Sequence, residues 1–423
     1  MDIIQTLKDQ RQELDRGLQG LSLVVRNEEK KLQRSSRLIQ VVAGVRRCGK
    51  SVLIYQALQG KKYGYVNFDD DRLLHVKPND VLAGLYQIYG KEMNVIFLDE
   101  IQNLDQWELF VNRLHRAGFA VFLTGSNAKL LAKEMATHLT GRHRTIELFP
   151  FSFREYLEVH NFKGDVETTA GRSELLHYFK EFVSQGGFPE VVMGKEEQIS
   201  YLRELYQKII ERDIVGRYHV SYVKTLKEIA RTVMSNPGRL LSYGKIRRQF
   251  GLGSDHTVKN YVSYLTETYL LMSLSKFSFK PVEIEKSEKK LYCIDTGMSR
   301  AVGVQSGRDE GHLVENVVAI ELFRRQSSSA DVEMYYWKNT LQEEVDFVIR
   351  ERGKITQLIQ VCVSLEKEDT KQREIRALLK ASKDLRCKNL SIITLDSGGE
   401  EEVEWFGIKG KIKYIPIWKW LLE

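Results

Sequence analysis

A glycine-bounded loop between an apolar run and a helix-compatible run is the feature that most constrains this chain. The loop reads GVRRCGKS over residues 44–51, and LIQVVA precedes it. Glycine at both ends leaves room for an anion beside the backbone, and the N-terminus of the following helix adds a partial positive charge. This spacing, in this setting, predicts a phosphate-binding loop of the Walker A type.

The residues of the predicted loop have separate tasks. Lys50 is expected to reach the β- and γ-phosphates of a nucleotide, and the Ser51 hydroxyl is expected to ligate Mg²⁺. ATP and Mg²⁺ are therefore the predicted cofactors. The residues expected to contact the nucleotide are Gly44, Val45, Arg46, Arg47, Cys48, Gly49, Lys50, Ser51 and Val52.

A second, acidic motif is expected to complete this site. NVIFLDEIQ is an apolar run that ends in Asp99 and Glu100, which is typical of a Walker B strand. Asp99 is expected to hold Mg²⁺, directly or through water. Glu100 is expected to polarise the attacking water, because water needs a base or an orienting group at hydrogen-bond distance. The alternative is an ordinary strand end with an acidic turn, and the upstream loop favours the catalytic interpretation.

Strands and helices alternate from residue 38 to about residue 150, which predicts an α/β fold with a parallel sheet covered on both faces. YGYVNF is a strand between the two motifs. Together with Glu100, it indicates the additional-strand, AAA-like class of P-loop proteins. Asp69, Asp70 and Asp71 follow that strand. They could modulate Mg²⁺ or cap the next helix, and the sequence leaves both possibilities open.

Polar residues near the fourth and fifth predicted strands supply candidate sensor and finger residues. Ser126 or Asn127, in TGSNAKLL, is expected to face the γ-phosphate, with a helix N-cap as the alternative. In LTGRHR, Arg142 is predicted to be an arginine finger for a neighbouring subunit, and Arg144 is the other candidate. A solvated surface arginine is the alternative. A finger of this kind requires a homo-oligomer.

Residues 222–294 read as three helices followed by a strand pair, an order that resembles a winged helix-turn-helix. Lysine and arginine on the exposed face suit DNA phosphates, and asparagine can read a base edge. A protein-interaction module or a structural appendage is the alternative. The predicted DNA-contacting residues are Arg247, Arg248, Thr257, Lys259 and Asn260.

The α+β segment after residue 300 resembles a restriction-endonuclease-like fold. Glu315 and Asp346 fit acidic positions of that fold, but Gln360 stands where the second strand acid would be and Cys362 where the lysine would be. An amide is a poor Mg²⁺ ligand, and a thiol cannot replace an ammonium. We therefore expect a degenerate domain that does not cut and that could still bind DNA or a partner.

Composition sets wider limits on the function. A net charge of +7 over 423 residues permits a nucleic-acid partner without demanding one. The four cysteines are far apart in sequence and are expected to be free thiols in a reducing compartment. No apolar run approaches the roughly 18 residues that a membrane span needs, and no secretory signal is visible. A cytoplasmic location without a membrane partner is therefore expected.

The motifs together resemble those of the prokaryotic AAA-type ATPases, whose C-terminal domain has long been labelled as of unknown function. The resemblance also draws on ELFPFSFREY, GGFPEVV, KLYCIDTGM and EEVDFVI, and it covers residue 37 to the end. It implies nucleotide binding more firmly than a biological role. The expected domains are a helical lead-in (1–36), a P-loop ATPase core (37–150), a helical lid (151–221), a winged helix-turn-helix (222–298) and a degenerate nuclease-like domain (299–423).

The leading expectation is an ATP-hydrolysing protein that acts on DNA or assembles around it. The alternative is a nucleotide-controlled oligomeric switch or scaffold, in regulation or defence, without direct DNA processing. An ATP-dependent nuclease is a third possibility, which Gln360 and Cys362 disfavour.

Overall fold

The structure is a computed structural model that describes residues 2–19, 23–33, 36–127, 141–304, 310–363 and 365–423. Its contacts divide the chain into two compact units. The first comprises the residues up to Pro150 together with Glu267–Tyr269, and the second comprises Phe151–Thr266 and Leu270–Glu423. Within these described ranges, every helix is too short or too polar to cross a membrane.

A parallel sheet of five strands forms the centre of the first unit. Its spatial order is β2-β3-β4-β1-β5, and each neighbouring pair is parallel. Strand β4 therefore lies between the two strands that precede the Walker A loop and the acidic motif. The predicted parallel α/β core is confirmed. The strands are β1 (Ile39–Ala43), β2 (Gly64–Asn67), β3 (Val95–Asp99), β4 (Ala120–Gly125) and β5 (His143–Glu147).

The segment predicted as a helical lead-in begins with a helix that packs into this first unit. Helix α1 (Ile3–Leu18) contacts α3, and its Leu7 is fully buried. The Gln10 side chain pairs with the backbone of Asn67 at the end of β2, through two hydrogen bonds of 3.0 Å each. An edge strand thus gains partners that lie far away in sequence. The other helices among the described residues of this unit are α2 (Lys50–Ala57), α3 (Pro78–Tyr89) and α4 (Trp107–Arg116).

The second unit begins with helices. Ser152 and Glu155 form a capping box, in which the Ser152 N–H donates to Glu155 Oε2 over 2.8 Å, and this box starts α5. A π-helical segment, Ile209–Val215, joins α8 to α9. The segment 151–221 is helical, and its interpretation as a lid stays a prediction. The helices are α5 (Phe153–Val159), α6 (Thr169–Gln185), α7 (Pro189–Val192), α8 (Gln198–Lys208), α9 (Gly216–Tyr218) and α10 (Val223–Met234).

A mixed sheet of nine strands dominates the rest of the second unit. Its order is β13-β14-β12-β11-β10-β9-β7-β8-β6, with β7 antiparallel to β8 and parallel to β9. Its strands are β6 (Leu240–Leu241), β7 (Leu271–Lys276), β8 (Lys289–Cys293), β9 (Val332–Lys338), β10 (Glu344–Glu351), β11 (Lys354–Val361), β12 (Leu390–Thr394), β13 (Gly399–Trp405) and β14 (Ile408–Pro416).

This sheet spans the predicted domain boundary between residues 298 and 299, and that boundary stays a prediction. The wing-like strands β7 and β8 belong to the same sheet as the C-terminal strands, because Ser275 pairs with Tyr335 and Lys276 with Tyr336. No local sequence pattern predicts a pairing between residues this far apart in sequence. The predicted winged and nuclease-like segments therefore share one sheet.

The three helices predicted over residues 222–271 are present in that order, and a further short helix, Pro281–Lys286, lies between the two strands predicted to form the wing. The predicted inner face of α12 is buried, with Val258 and Leu265 both at 0% exposure. Buried Ile375 and Leu378 of α16 lie in the same core cluster as Leu358 of β11. The remaining helices are α11 (Tyr243–Gln249), α12 (Asp255–Glu267), α13 (Pro281–Lys286), α14 (Thr296–Val302), α15 (Glu310–Ser327), α16 (Glu368–Leu385) and α17 (Ile417–Leu422).

Two of the sequence motifs meet at the buried carboxylate of Asp295. Its Oδ2 accepts from the Gly187 N–H over 2.6 Å, and its Oδ1 accepts from the Met298 N–H over 2.8 Å to cap α14. Gly186 has φ +79, and a Cβ there would lie 2.1 Å from Asp295 Oδ1. The GGFPEVV turn thus needs glycine where it wraps around this carboxylate.

Candidate nucleotide-binding site

The Walker A loop joins the end of β1 to the start of α2. Each of its two glycines is required for a different steric reason. A Cβ at Gly44 would lie 2.2 Å from the Leu148 carbonyl oxygen, and Gly49 has φ +98. The side chains of Val45 and Cys48 are fully buried, and Cys48 Sγ donates to the Leu148 carbonyl over 3.3 Å. Val45 and Cys48 can therefore face a nucleotide only through their backbone.

Arg26 supports this loop, although no sequence motif points to it. Its side chain is buried, and its guanidinium donates to the Cys48 carbonyl over 3.2 Å and to the Phe149 carbonyl over 2.8 Å. A buried guanidinium is tolerated when its N–H groups find acceptors. Arg26 thus ties the loop to the chain that follows β5.

Asp99 lies at the end of β3 among hydroxyl groups. Ser51 Oγ donates to its Oδ1 over 2.9 Å, Thr124 Oγ1 donates to the same oxygen, and the Tyr65 hydroxyl donates to Oδ2 over 3.2 Å. Burial and the charge of Glu100 raise the pKa of Asp99 to about 6, although the hydroxyls oppose the shift. The structure thus brings together the two predicted Mg²⁺ ligands, Ser51 and Asp99. Thr124 and Tyr65 were missed by the sequence argument.

Glu100 lies beside the Walker A lysine. Its Oε1 is 3.4 Å from Lys50 Nζ, which also donates to the Val45 carbonyl over 3.2 Å. Burial alone would raise the pKa of Glu100, but the cations of Lys50 and Arg46 outweigh burial and lower it. Burial likewise opposes the charge of Lys50, and Glu100 restores it, so that the pKa of Lys50 is raised. Both groups are therefore ionised at neutral pH.

Side chains from two loops hold Glu100 Oε2. Ser126 Oγ donates to it over 3.1 Å, and Gln102 Nε2 donates to it over 2.5 Å. Gln102 Nε2 also lies 3.2 Å from Ser126 Oγ. Of the two predicted sensor candidates, Ser126 contacts the acidic motif directly. Asn127, the next residue, is fully buried. Residues 128–131 of TGSNAKLL lie outside the described residues.

Two of the three aspartates after β2 have different partners. Asp70 accepts from the Arg72 N–H over 3.0 Å and caps a short 3-10 turn at Asp71–Leu73. Asp69 accepts instead from Arg46 of the Walker A loop over 3.1 Å. The capping alternative therefore describes Asp70, and Asp69 positions a loop residue.

The candidate arginine fingers lie at the far edge of the sheet. The Arg142 carbonyl accepts from the Ile39 N–H over 2.8 Å, and Arg144 is paired with Gln40, so both arginines flank the start of β1. The Walker A loop follows the other end of β1, about 13 Å away at roughly 3.3 Å per residue. The guanidinium of Arg142 donates to Asn112 Oδ1 over 2.9 Å. Within one chain, these arginines are remote from the loop.

The five predicted DNA-contacting residues lie on or beside α11 and α12. Arg248 and Lys259 are exposed, and Lys259 Nζ lies 5.5 Å from the ring centroid of Tyr243. Arg247 pairs with Asp255 over 3.4 Å. Thr257 and Asn260 are half-buried, and the Asn260 amide lies 3.3 Å from His256 Nδ1. The structure thus places all five in one short stretch of two helices.

The predicted residues of the nuclease-like domain also meet. The Asp346 N–H donates to Gln360 Oε1 over 3.1 Å, and the Gln360 amide nitrogen donates to Glu374. Both the oxygen and the nitrogen of the Gln360 amide are therefore hydrogen-bonded to protein groups. Cys362 is buried, and Glu315 lies across a lysine from Asp346.

The groups at the Walker A loop fit a nucleotide with Mg²⁺. Ser51 and Asp99 place two oxygen ligands 2.9 Å apart, and oxygen is the ligand that Mg²⁺ prefers. The glycine conformations and the ammonium of Lys50 suit a phosphate chain. The fold and this site together define a P-loop nucleotide-binding domain of the AAA type.

Comparisons with known proteins agree with this class. Residues 36–157 match the family described as AAA domain, residues 176–309 match a domain of unknown function (DUF8612), and residues 310–420 match another (DUF4143). The chain belongs to the family of an uncharacterized protein from Methanocaldococcus jannaschii, to which it is 36% identical over 399 residues, 91% of this chain and 88% of that protein.

A more distant relative and two solved structures are also similar. An uncharacterized protein of Haemophilus influenzae is 31% identical over 335 residues, 75% of this chain and 80% of that protein. A Walker-type ATPase of Pyrococcus abyssi has a TM-score of 0.44 at 14% identity, covering 66% of this chain and 96% of that chain. A STAND protein with a tetratricopeptide repeat sensor from Pyrococcus horikoshii has a TM-score of 0.28 at 12% identity, covering 71% and 45%.

Proposed function

We propose that this protein hydrolyses ATP at its Walker A loop. The observation that carries the proposal is the position of Glu100. Its carboxylate is ionised beside Lys50, its side chain is only 12% exposed, and two donors hold one of its oxygens. A carboxylate that only ended a strand would not need this support.

The neighbouring residues divide the work of binding. Lys50 binds the β- and γ-phosphates and gives up its contact with Glu100 when it does so. Ser51 and Asp99 hold Mg²⁺, which when bound neutralises charge on the phosphates. Thr124 keeps Asp99 in place from the next strand.

Glu100 then acts on water. Once Lys50 binds phosphate, Glu100 Oε1 is released to accept a proton from water, and Oε2 stays fixed by Ser126 and Gln102. A fixed base at hydrogen-bond distance typically contributes about 10²–10⁴ in rate. The reaction is the attack of that water on the γ-phosphorus, with ADP as the leaving group.

Release of phosphate by wild-type protein and Glu100→Gln tests this proposal. The variant should bind ATP as tightly as wild type and turn it over at least about 100-fold more slowly. Glu92→Gln, at an exposed position ahead of β3, is the matched control and should be unaffected. Wild-type turnover in Glu100→Gln would remove Glu100 from the role of base.

We further propose that the protein acts on DNA or assembles around it, through α11 and α12. The exposed cations of Arg248 and Lys259 support this proposal, since they could contact phosphates without first losing a buried partner. Asn260, Thr257 and Arg247 on the same helices would contribute polar contacts. The C-terminal domain would contribute binding without cleavage.

Fluorescence anisotropy of labelled single-stranded, duplex and branched DNA tests the second proposal, with and without a non-hydrolysable ATP analogue. Arg248→Ala combined with Lys259→Ala should weaken binding and reduce the salt slope by about 2, because two phosphate contacts are lost. Lys180→Ala, at an exposed position on α6, is the control. Equal DNA affinity of the double variant and wild type would contradict the proposal.

The alternative, a nucleotide-controlled oligomeric switch, draws on the position of Arg142. Because Arg142 is remote from the loop of its own chain, it could serve as a finger only for another subunit. Arg142→Ala and Lys50→Ala should then each be inactive, and mixing them should restore ATPase activity. Arg144→Ala, tested in the same way, distinguishes the two arginines. Full activity of both arginine variants would exclude a finger at either position.

A further inference from the structure

A buried lysine stands among three carboxylates in the second unit. Lys290, on β8, has a side chain that is only 2% exposed. Its Nζ lies 3.1 Å from Glu315 Oε1, 2.7 Å from Glu344 Oε1 and 2.9 Å from Asp346 Oδ1. The three acids come from α15 and β10, so the lysine joins separate elements of the fold.

The hydrogen-bonding capacity of this ammonium is fully used. A lysine ammonium has three N–H donors, and three carboxylate oxygens surround it. Burial opposes the charge of Lys290, but the carboxylates outweigh burial and raise its pKa well above the usual value. A buried charge of this kind persists only where its partners are this close.

Other groups also bind the same carboxylates. Asp346 Oδ2 accepts from the Val361 N–H over 3.0 Å, and Glu315 Oε1 accepts from the Tyr292 hydroxyl over 2.8 Å. Lys338 lies 3.4 Å from Glu344 Oε2. The acids therefore keep their positions around Lys290.

These acids do not fit a divalent metal while Lys290 is present. Mg²⁺ requires oxygen ligands at about 2.0–2.1 Å in octahedral geometry, and the ammonium already lies against the inward oxygens of Glu315 and Asp346. Among the described residues, no group of three or more His, Cys, Asp or Glu side chains is arranged to hold a metal ion. The cluster already contains its cation.

We propose that Lys290 is the built-in cation of this cluster, standing where a nuclease of the fold that this domain resembles would hold its metal. A cleft of about 820 Å³ is lined in part by Lys290, Glu315, Asp346 and Gln360. This cleft then needs no divalent metal to balance the charge of its acids. A nuclease of that fold would have a lysine two residues after Gln360, where Cys362 stands just beyond β11. The lysine comes instead from β8, in the KLYCIDTGM motif.

Manganese binding to the full-length protein without nucleotide tests this inference, because free Mn²⁺ can be counted by electron paramagnetic resonance. Lys290→Ala should bind one more Mn²⁺ than wild type, and Lys290→Ala combined with Asp346→Asn should lose that additional ion. Lys289→Ala is the matched control, since Lys289 donates to Ser275 Oγ and the Ile284 carbonyl. Any metal at the Walker A loop is common to all of these variants.

A second comparison tests the inference without Lys290→Ala, whose folding could suffer. Wild type and Asp346→Asn should bind the same number of Mn²⁺ ions, because the acids hold no metal in wild type. The inference is overturned if Asp346→Asn loses one bound Mn²⁺. It is also overturned if wild type cleaves plasmid DNA with Mg²⁺ or Mn²⁺ and Asp346→Asn does not, since Lys290 would then assist a bound metal.

Discussion

The Ser126 hydroxyl donates a hydrogen bond to Oε2 of Glu100 over 3.1 Å and so joins the end of β4 to the end of β3. Because β4 lies between the strands that carry the two motifs, a residue at its end can contact the acidic motif and also lie near the Walker A loop. Ser126 thus binds the carboxylate that we propose as the base. We therefore propose that Ser126 acts through Glu100, by holding its carboxylate in position.

Ser126→Ala should lower kcat about tenfold, near 1.4 kcal/mol, with little change in KM, because Glu100 loses one of two donors. Steady-state phosphate release measures both constants. The effect should vanish in a Glu100→Gln background, since the two residues act as a unit. Equal fold-changes in both backgrounds would show that Ser126 acts on the nucleotide independently of Glu100.

Thr124→Val removes a hydroxyl from the centre of the site and keeps the side-chain shape. Thr124 Oγ1 donates to Asp99 and accepts from the Glu100 N–H over 2.9 Å. Leaving buried groups unsatisfied costs about 1–3 kcal/mol, so the free energy of unfolding should fall by this amount. Denaturant titration measures it, with Thr145→Val at an exposed position on β5 as the control. Equal stability of the two variants would mean that the Thr124 hydroxyl is not needed.

Gly186→Ala should be far more costly than substitution at an open glycine. The new Cβ would meet Asp295 Oδ1 at 2.1 Å, and φ is +79. Gly194 has φ +66 with nothing within 4 Å, so Gly194→Ala isolates the backbone strain of about 1 kcal/mol. We expect Gly186→Ala to cost about 3 kcal/mol or more in denaturant titrations. A similar cost for both would mean that the Asp295 carboxylate moves aside freely.

Stability should depend on pH through Asp295. Burial raises the pKa of Asp295 to about 6, against about 3.9 in the unfolded chain. The native state therefore binds this proton more tightly, and the stabilisation present below about pH 4 is lost as pH rises through about 6. The loss is about 3 kcal/mol. Between pH 4 and 7.5, the free energy of unfolding of wild type should fall by that amount relative to that of Asp295→Asn. A constant difference would contradict the assigned shift.

The sequence could predict which residues of the candidate nucleotide site lie together because its signals are local. The Walker A loop, Asp99, Glu100 and Ser126 each follow a strand within a few residues, and parallel strands bring their carboxyl ends together. The apolar runs located the strands of the first sheet for the same reason. Gln102 belongs to the same local stretch and could have been suspected from its position two residues after Glu100.

The misses are residues whose partners lie far away in sequence. Arg26 acts on the Walker A loop from a segment interpreted as a lead-in, and Lys290 serves acids on α15 and β10. The parallel pairing of β7 with β9, on either side of the predicted boundary at 298/299, also depends on distant residues. Single-sequence periodicity carries no information about such pairings.

Calorimetric titration of the purified protein with ATP and ADP in the presence of Mg²⁺ tests the central claim most directly. We predict one nucleotide site per chain, with affinity lost or weakened at least tenfold in Lys50→Ala, because the phosphates lose their buried cation. Lys61→Ala, at an exposed position after α2, should bind like wild type. No heat of binding in wild type, or equal affinity in Lys50→Ala, would contradict the assignment of the phosphate site.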